Sequence, residues 1–156
     1  MSASAYLSGL QRLWLAFLVG VSAIAVAIVV IADVQPTLPA ALPALLAAAA
    51  GGGAILGVLA IDRVFAATPP ADEASARGEY RTRLVLQAVL AETAVLAAVV
   101  LTFFFGPGWV AAIGGVAGVV ALGVVRPSRA RFERFDRAWA AQGSEVSLVR
   151  AAGLPG

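Results

Sequence analysis

Cysteine, histidine and lysine are all missing from this 156-residue chain, and charged residues make up only 13% of it. Without cysteine there is no disulfide, no thiol nucleophile, no thiolate-bound zinc and no iron–sulfur cluster; without histidine there is no bis-histidine haem site and no histidine-based triad. The serines, tyrosines and acids that remain pair no nucleophile with a base in recognisable spacing, and no phosphate loop of the GxxxxGK[ST] kind occurs. The expectation is a non-enzymatic protein with no catalytic, cofactor-binding or metal-binding residues.

What the chain has instead is apolar length. Hydrophobic residues make up 61% of it, against about 45–50% in an average soluble domain. A helix rises about 1.5 Å per residue, so about 20 apolar residues cross the roughly 30 Å hydrocarbon layer. Four runs meet or approach that length: Leu13–Ala32, Ala40–Ile61, Leu84–Phe105 and Trp109–Val125, the last closed by Arg126-Pro127. They are apolar all round, whereas a soluble helix needs a polar face. Ala25-Val26-Ala27 resembles a signal-peptide cleavage site, but Ile28-Val29-Val30-Ile31 carries the run past it, so the first span is expected to stay uncleaved. The predicted fold is an all-α bundle of four transmembrane helices over residues 1–125, followed at 126–156 by a cytoplasmic amphipathic helix and tail.

All eleven basic residues are arginine, and their placement is one-sided. Arg12 precedes the first run, Arg63, Arg77, Arg81 and Arg83 lie between the second and third, and the other six follow the fourth. Asp33–Pro39 and Gly106–Gly108 contain none. By the positive-inside rule both termini and the 62–83 loop are cytoplasmic in a multi-pass cell-membrane protein, facing anionic lipid head groups. Trp14, Phe65 and Tyr80 at one level, and Phe103-Phe104-Phe105 with Trp109 at the other, read as interfacial anchors. In the 62–83 loop, Thr68-Pro69-Pro70 breaks the chain and a mixed-charge stretch follows, so the third helix can start before the bilayer does.

Beyond the fourth run, Phe132, Phe135 and Trp139 stand at i, i+3 and i+7 among arginines and acids. One helical face thus carries three aromatics, and a basic helix of this kind is expected to lie in the membrane interface, or else to pack on a neighbouring protein. Glu133 and Asp136 oppose a nucleic-acid role for the arginine cluster, and no nucleic-acid partner is expected. The last dozen residues match no lipidation motif, and are either disordered or docked.

Membrane helices associate where small residues let backbones approach. Ala49, Gly53 and Gly57 in the second run, and Gly114 and Gly118 in the fourth, have that four-residue spacing, with packing inside the bundle as the default. Glu92 breaks the apolar pattern. It lies nine residues past Arg83, about 13–14 Å along the helix, where an acid costs several kcal/mol and usually marks an ion path, a relay or a specific contact. Ser22 is the only hydroxyl at that depth in the other runs, and no arginine reaches so far. The protonated form of Glu92, or a partner from another chain, is expected.

From about residue 50 to 108 the chain resembles the hairpin of the ATP synthase proteolipid, subunit c. The likeness consists of a glycine-rich helix (Gly51-Gly52-Gly53, Gly57), a polar loop with proline and arginine, and a helix carrying the lone carboxylate Glu92. The resemblance implies that Glu92 carries a translocated proton or ion. Two functions are therefore in view. The leading one is an accessory or scaffolding subunit that meets other membrane subunits, or copies of itself, in a larger assembly; the alternative is a homo-oligomer that moves protons or ions through Glu92.

Overall fold

The computed structural model describes residues 3–32 and 38–154, with side chains from Tyr6 onward. Asp33 and most of the proline-containing stretch at 34–39 fall outside the described residues. Six helices and no strand occur among the described residues: α1 (Ala3–Ile31), α2 (Ala41–Ala67), α3 (Glu73–Phe105), α4 (Val110–Val124), α5 (Arg129–Ala140) and the single turn α6 (Leu148–Ala151).

The apolar runs account for the long helices, and local chemistry sets their ends. α2 continues past Ile61 through Asp62 and stops at Ala67, where Thr68 is extended and Pro69-Pro70 removes two donors. α3 begins only six residues later. The Asp72 carboxylate accepts the Ser75 N–H at 2.7 Å and supplies the N-cap. The 62–83 connection is thus mostly helix, with its break confined to residues 68–72. Pro107 and Pro127 bracket α4, and Ser128 caps α5 by accepting the Arg131 N–H. α5 ends at Ala140, and the turn that follows closes at Gly143, whose φ of +80° is the left-handed conformation that glycine adopts without a Cβ penalty.

α4 is the centre of the bundle and packs on α1, α2 and α3. It can do so because its glycines have no side chain. A Cβ at Gly114 would overlap Ala98 and stand 2.7 Å from the Ala94 carbonyl oxygen; one at Gly118 would stand 2.9 Å from both Val21 and Val95. α2 makes its close approach at Gly51, where a Cβ would meet Ala117 at 2.6 Å, and Gly57 faces Leu90 of α3. Ala49 and Gly53, expected on that packing face, point outward, and Gly53 has nothing within 4 Å of its Cβ position. The buried stripe of α2 is Ala47, Gly51, Ala54, Val58, Asp62 and Phe65, and Gly53 falls out of phase with it.

The outside of the bundle is as apolar as the inside. Val26, Val30, Leu45, Leu56 and Val116 are each more than 60% exposed. Apolar surface on that scale does not suit water, and it matches helices whose solvent is hydrocarbon. α1, α2 and α3 are each long and apolar enough to cross a membrane. α4, with 15 residues, spans about 22 Å, and reaches the required length only together with α5, from which it is bent by 62°. The chain therefore has three, or up to four, candidate membrane spans.

One end of the bundle gathers the arginines. There the Tyr6 hydroxyl donates to the Arg77 carbonyl at 2.9 Å, Trp14 Nε1 donates to the Leu122 carbonyl at 2.7 Å, and Arg150 pairs with Glu73 at 2.8 Å. The start of α1, the α2–α3 break and α5–α6 are thus brought together.

Candidate functional site

Asp62 sits at the centre of this end. On α2 it occupies the buried phase, one turn after Val58 and three residues before Phe65. On α3, Tyr80, Arg83, Leu84 and Gln87 share one buried face. On α5, Arg131, Phe132, Phe135 and Trp139 share another. The three faces meet around one carboxylate, and Asp62, Arg83 and Arg131 are each less than a tenth exposed.

The hydrogen bonding is dense. Asp62 Oδ1 accepts from an Arg83 guanidinium nitrogen, from Gln87 Nε2 at 2.5 Å and from Arg131 Nη2 at 2.6 Å; Oδ2 accepts from Arg134 Nη2 at 2.8 Å. Gln87 Nε2 also donates to the Val58 carbonyl at 3.0 Å, and Arg131 Nη1 donates to the Val124 carbonyl at 2.5 Å, tying α5 back to the end of α4. The Arg83 guanidinium lies between two rings, 4.2 Å from the centroid of Phe65 and 4.3 Å from that of Phe135. A desolvated cation over an aromatic face gains about 2 kcal/mol or more. Phe65, Tyr80, Phe132, Phe135 and Trp139 enclose the cluster edge to face at 5.0–5.1 Å in the closest pairs. Trp139 Nε1 donates to the Phe65 carbonyl at 3.0 Å, in the last turn of α2, where the same carbonyl also accepts the Thr68 N–H.

The aromatic face of α5 is therefore turned against its own chain. Phe132 and Trp139 are fully buried and Phe135 is 1% exposed, which corrects the expectation that these three residues meet lipid or a neighbouring protein. Nor is the tail beyond them free. The Asp136 carboxylate accepts from the Ser147 hydroxyl at 2.6 Å and the Leu148 N–H at 2.6 Å, and Leu148, Ala151 and Ala152 are buried.

Glu92 lies elsewhere, on the flank of α3. Ala88, Ala91 and Val95 beside it are buried, Val89 and Leu96 are exposed, and Glu92 is half-buried between them. It makes no hydrogen bond or ion pair among the described residues. Ser22 lines a groove between α1 and α4 with Ala25 and Gly115, and the structure does not bring it to Glu92. The threonines of α3 offer nothing, since Thr93 and Thr102 each donate to the carbonyl four residues back in their own helix.

Sequence alone does not bring this cluster together. In sequence Asp62 stands at the start of the 62–83 loop, and Arg83, Arg131 and Arg134 read as topological charge. The available signal was phase: Asp62 continues the buried stripe of α2, and Gln87 and Arg83 continue that of α3. Among the described residues no group of three or more acidic side chains that could hold a metal comes together.

Fold and site together define an all-helical chain of the multi-pass membrane type, locked at one end by a buried carboxylate under three arginines. Compared with family models, curated proteins and solved structures, the chain matches none.

Proposed function

We propose that this is a non-enzymatic integral membrane protein, an accessory or scaffolding subunit of a larger cell-membrane assembly, with its arginine-bearing end and both termini in the cytoplasm. The observation that carries this reading is Glu92, a carboxyl on the margin of the bundle, in the middle of a membrane-length helix, with no partner among the described residues. An acid in hydrocarbon costs about 2.5–3.5 kcal/mol on the translocon scale, and a donor on another subunit would offset it. The outward small-residue face at Ala49 and Gly53 and the loose enclosure of α1 favour the same conclusion, because both leave room for further helices. The arginine distribution supports the orientation, and the absence of cysteine and histidine supports a role in binding rather than chemistry.

The test is purification of the chain from its own membrane in mild detergent, as wild type and as Glu92→Leu. Defined membrane subunits should accompany the wild type and be lost from the variant while its melting temperature holds or rises. A wild-type protein that runs as a lone, monodisperse monomer overturns the proposal. Proton flux by the purified chain in liposomes, abolished by Glu92→Gln, would assign Glu92 to ion translocation in a homo-oligomer instead.

A further inference from the structure

Two cavities lie along one seam. Between α1 and α4 runs an apolar groove of about 440 Å³, bounded by Val26 and Val29 on one side and Val116, Val119 and Val120 on the other. At the arginine end, a polar pocket of about 500 Å³ is lined by Gln11 of α1, Val124, and the side chains of Arg126, Arg131 and Arg134. Helical spacing sets them end to end along α4. On α4, Val116, Val120 and Val124 follow at four-residue intervals, and on α1 Gln11, Ser22 and Val29 lie near one face. From Ala112 to Val124 the seam is about 18 Å long at 1.5 Å per residue, close to the depth of one leaflet of a bilayer core about 30 Å thick.

The charge at its head is unbalanced. Asp62 accepts from three arginines, and no acidic side chain lines the pocket itself. Arg126 is exposed, makes no ion pair among the described residues and lies over the Trp14 ring at 5.7 Å. Arg134 is more than half exposed and spends one nitrogen on Asp62. Arg131 is nine-tenths buried, and its Nε has no hydrogen-bond partner. The first-turn amides of α5, a 12-residue helix, add a partial positive charge at the same place.

We propose that this seam is a binding site for one anionic phospholipid, with its phosphate among Arg126, Arg131 and Arg134 and an acyl chain along the α1–α4 groove. A phosphate matches the forked donors of the arginines, and an apolar chain matches a groove whose walls are valine and alanine. A free phosphate would use the head of the site and leave the groove empty. An uncharged lipid would use the groove and leave the arginines uncompensated, and a zwitterionic one would bring a cationic group to the arginines along with its phosphate.

The test uses the full chain, stripped of lipid in mild detergent and titrated in native mass spectrometry with phosphatidylglycerol and with phosphatidylcholine of the same chains. Phosphatidylglycerol should bind one per chain and at least tenfold more tightly. Arg126→Gln, which removes no ion pair among the described residues, should weaken it several-fold with the melting temperature unchanged, and the pair Arg126→Gln with Arg134→Gln by tenfold or more. Val116→Trp, which fills the groove from an exposed position, should weaken the lipid without changing the response to inorganic phosphate. Equal binding of the two lipids, or an unchanged phosphatidylglycerol affinity in Arg126→Gln, overturns the proposal. If inorganic phosphate binds as tightly as the lipid and Val116→Trp has no effect, the pocket takes free phosphate and the lipid assignment fails. Glu92→Leu should leave phosphatidylglycerol binding unchanged, so this outcome is separate from that of the subunit test.

Discussion

Asp62 is the residue on which the order of the arginine end depends. Its two oxygens hold α3 through Arg83 and Gln87, and α5 through Arg131 and Arg134. Asp62→Asn keeps the shape and removes the charge, leaving Arg83 and Arg131 buried against each other without a counter-ion. Removing one member of a buried ion pair costs about 3–5 kcal/mol. The melting temperature in detergent should fall accordingly, and trypsin should cut at Arg131 and Arg134 much faster as α5 detaches. An Asn variant with wild-type melting and wild-type protection would show that packing alone holds α5. Arg83→Lys asks a different question, because it keeps the charge. A lysine ammonium cannot lie flat between Phe65 and Phe135 and at the same time offer a fork to Asp62. A loss of about 2 kcal/mol is expected from the ring contacts, read as a lower melting temperature; a lysine variant as stable as wild type would mean that charge suffices.

At the scale of the helix, two glycines with similar sequence surroundings should respond with opposite sign. Gly53→Ala enters open space on a helix interior and should stabilise α2 by about 0.5–1 kcal/mol. Gly114→Ala puts a methyl group 2.7 Å from the Ala94 carbonyl oxygen and against Ala98, and should cost about 1–3 kcal/mol through overpacking as α4 is pushed off α3. Paired thermal melts decide it, and the same sign for both would contradict the packing. The start of α3 carries a pH signature. The Asp72 carboxylate is held below the usual carboxylate range because it accepts the backbone N–H of Ser75. A lowered folded-state pKa contributes stability above the unfolded value near 3.9, and that stability is lost as the pH falls through the folded value. Asp72→Asn should therefore abolish an acid-induced loss of amide protection at Ser75 and Ala76 that the wild type shows, as hydrogen exchange would report. The helices themselves were legible from apolar run length, and the α2–α3 break from Thr68-Pro69-Pro70. The inward side of each was not. Spacing shows that Phe132, Phe135 and Trp139 need cover, yet lipid, a neighbour and the chain's own α2 and α3 satisfy that need equally in sequence. Likewise, GxxxG spacing marks Gly53 and Gly114 alike, and only the partner helix distinguishes them.

For the whole molecule, the arginine count foretold which segments share an end, and the structure supplies the contacts that hold them there. Tyr6 reaches Arg77, Gln11 reaches Pro127, and Arg131 reaches Asp62, so the start of α1 is fastened to the start of α3 and to the residues before α5, and α5 to the end of α2. At the opposite end the last residues of α1 and the start of α2 meet the α3–α4 connection, where a Cβ at Gly108 would stand 3.0 Å from the Ala32 carbonyl oxygen and one at Gly106 would meet Pro43. The number of crossings turns on α4. Its 15 residues fall short of the hydrocarbon layer, yet it packs at the centre of the bundle and joins the two ends. The chain has no cysteine, so single cysteines report position without background. Gly9→Cys, Gly78→Cys and Ala141→Cys, all at exposed positions of the arginine end, should react with a membrane-impermeant maleimide from one face only. Leu38→Cys and Trp109→Cys should react from the other. The comparison of Trp109 with Ala141 is the deciding one. Labelling from opposite faces means that α4 crosses despite its length, with the bilayer thinning locally or the residues flanking the helix reaching its borders; labelling from the same face would contradict a bundle in which α4 joins the two ends.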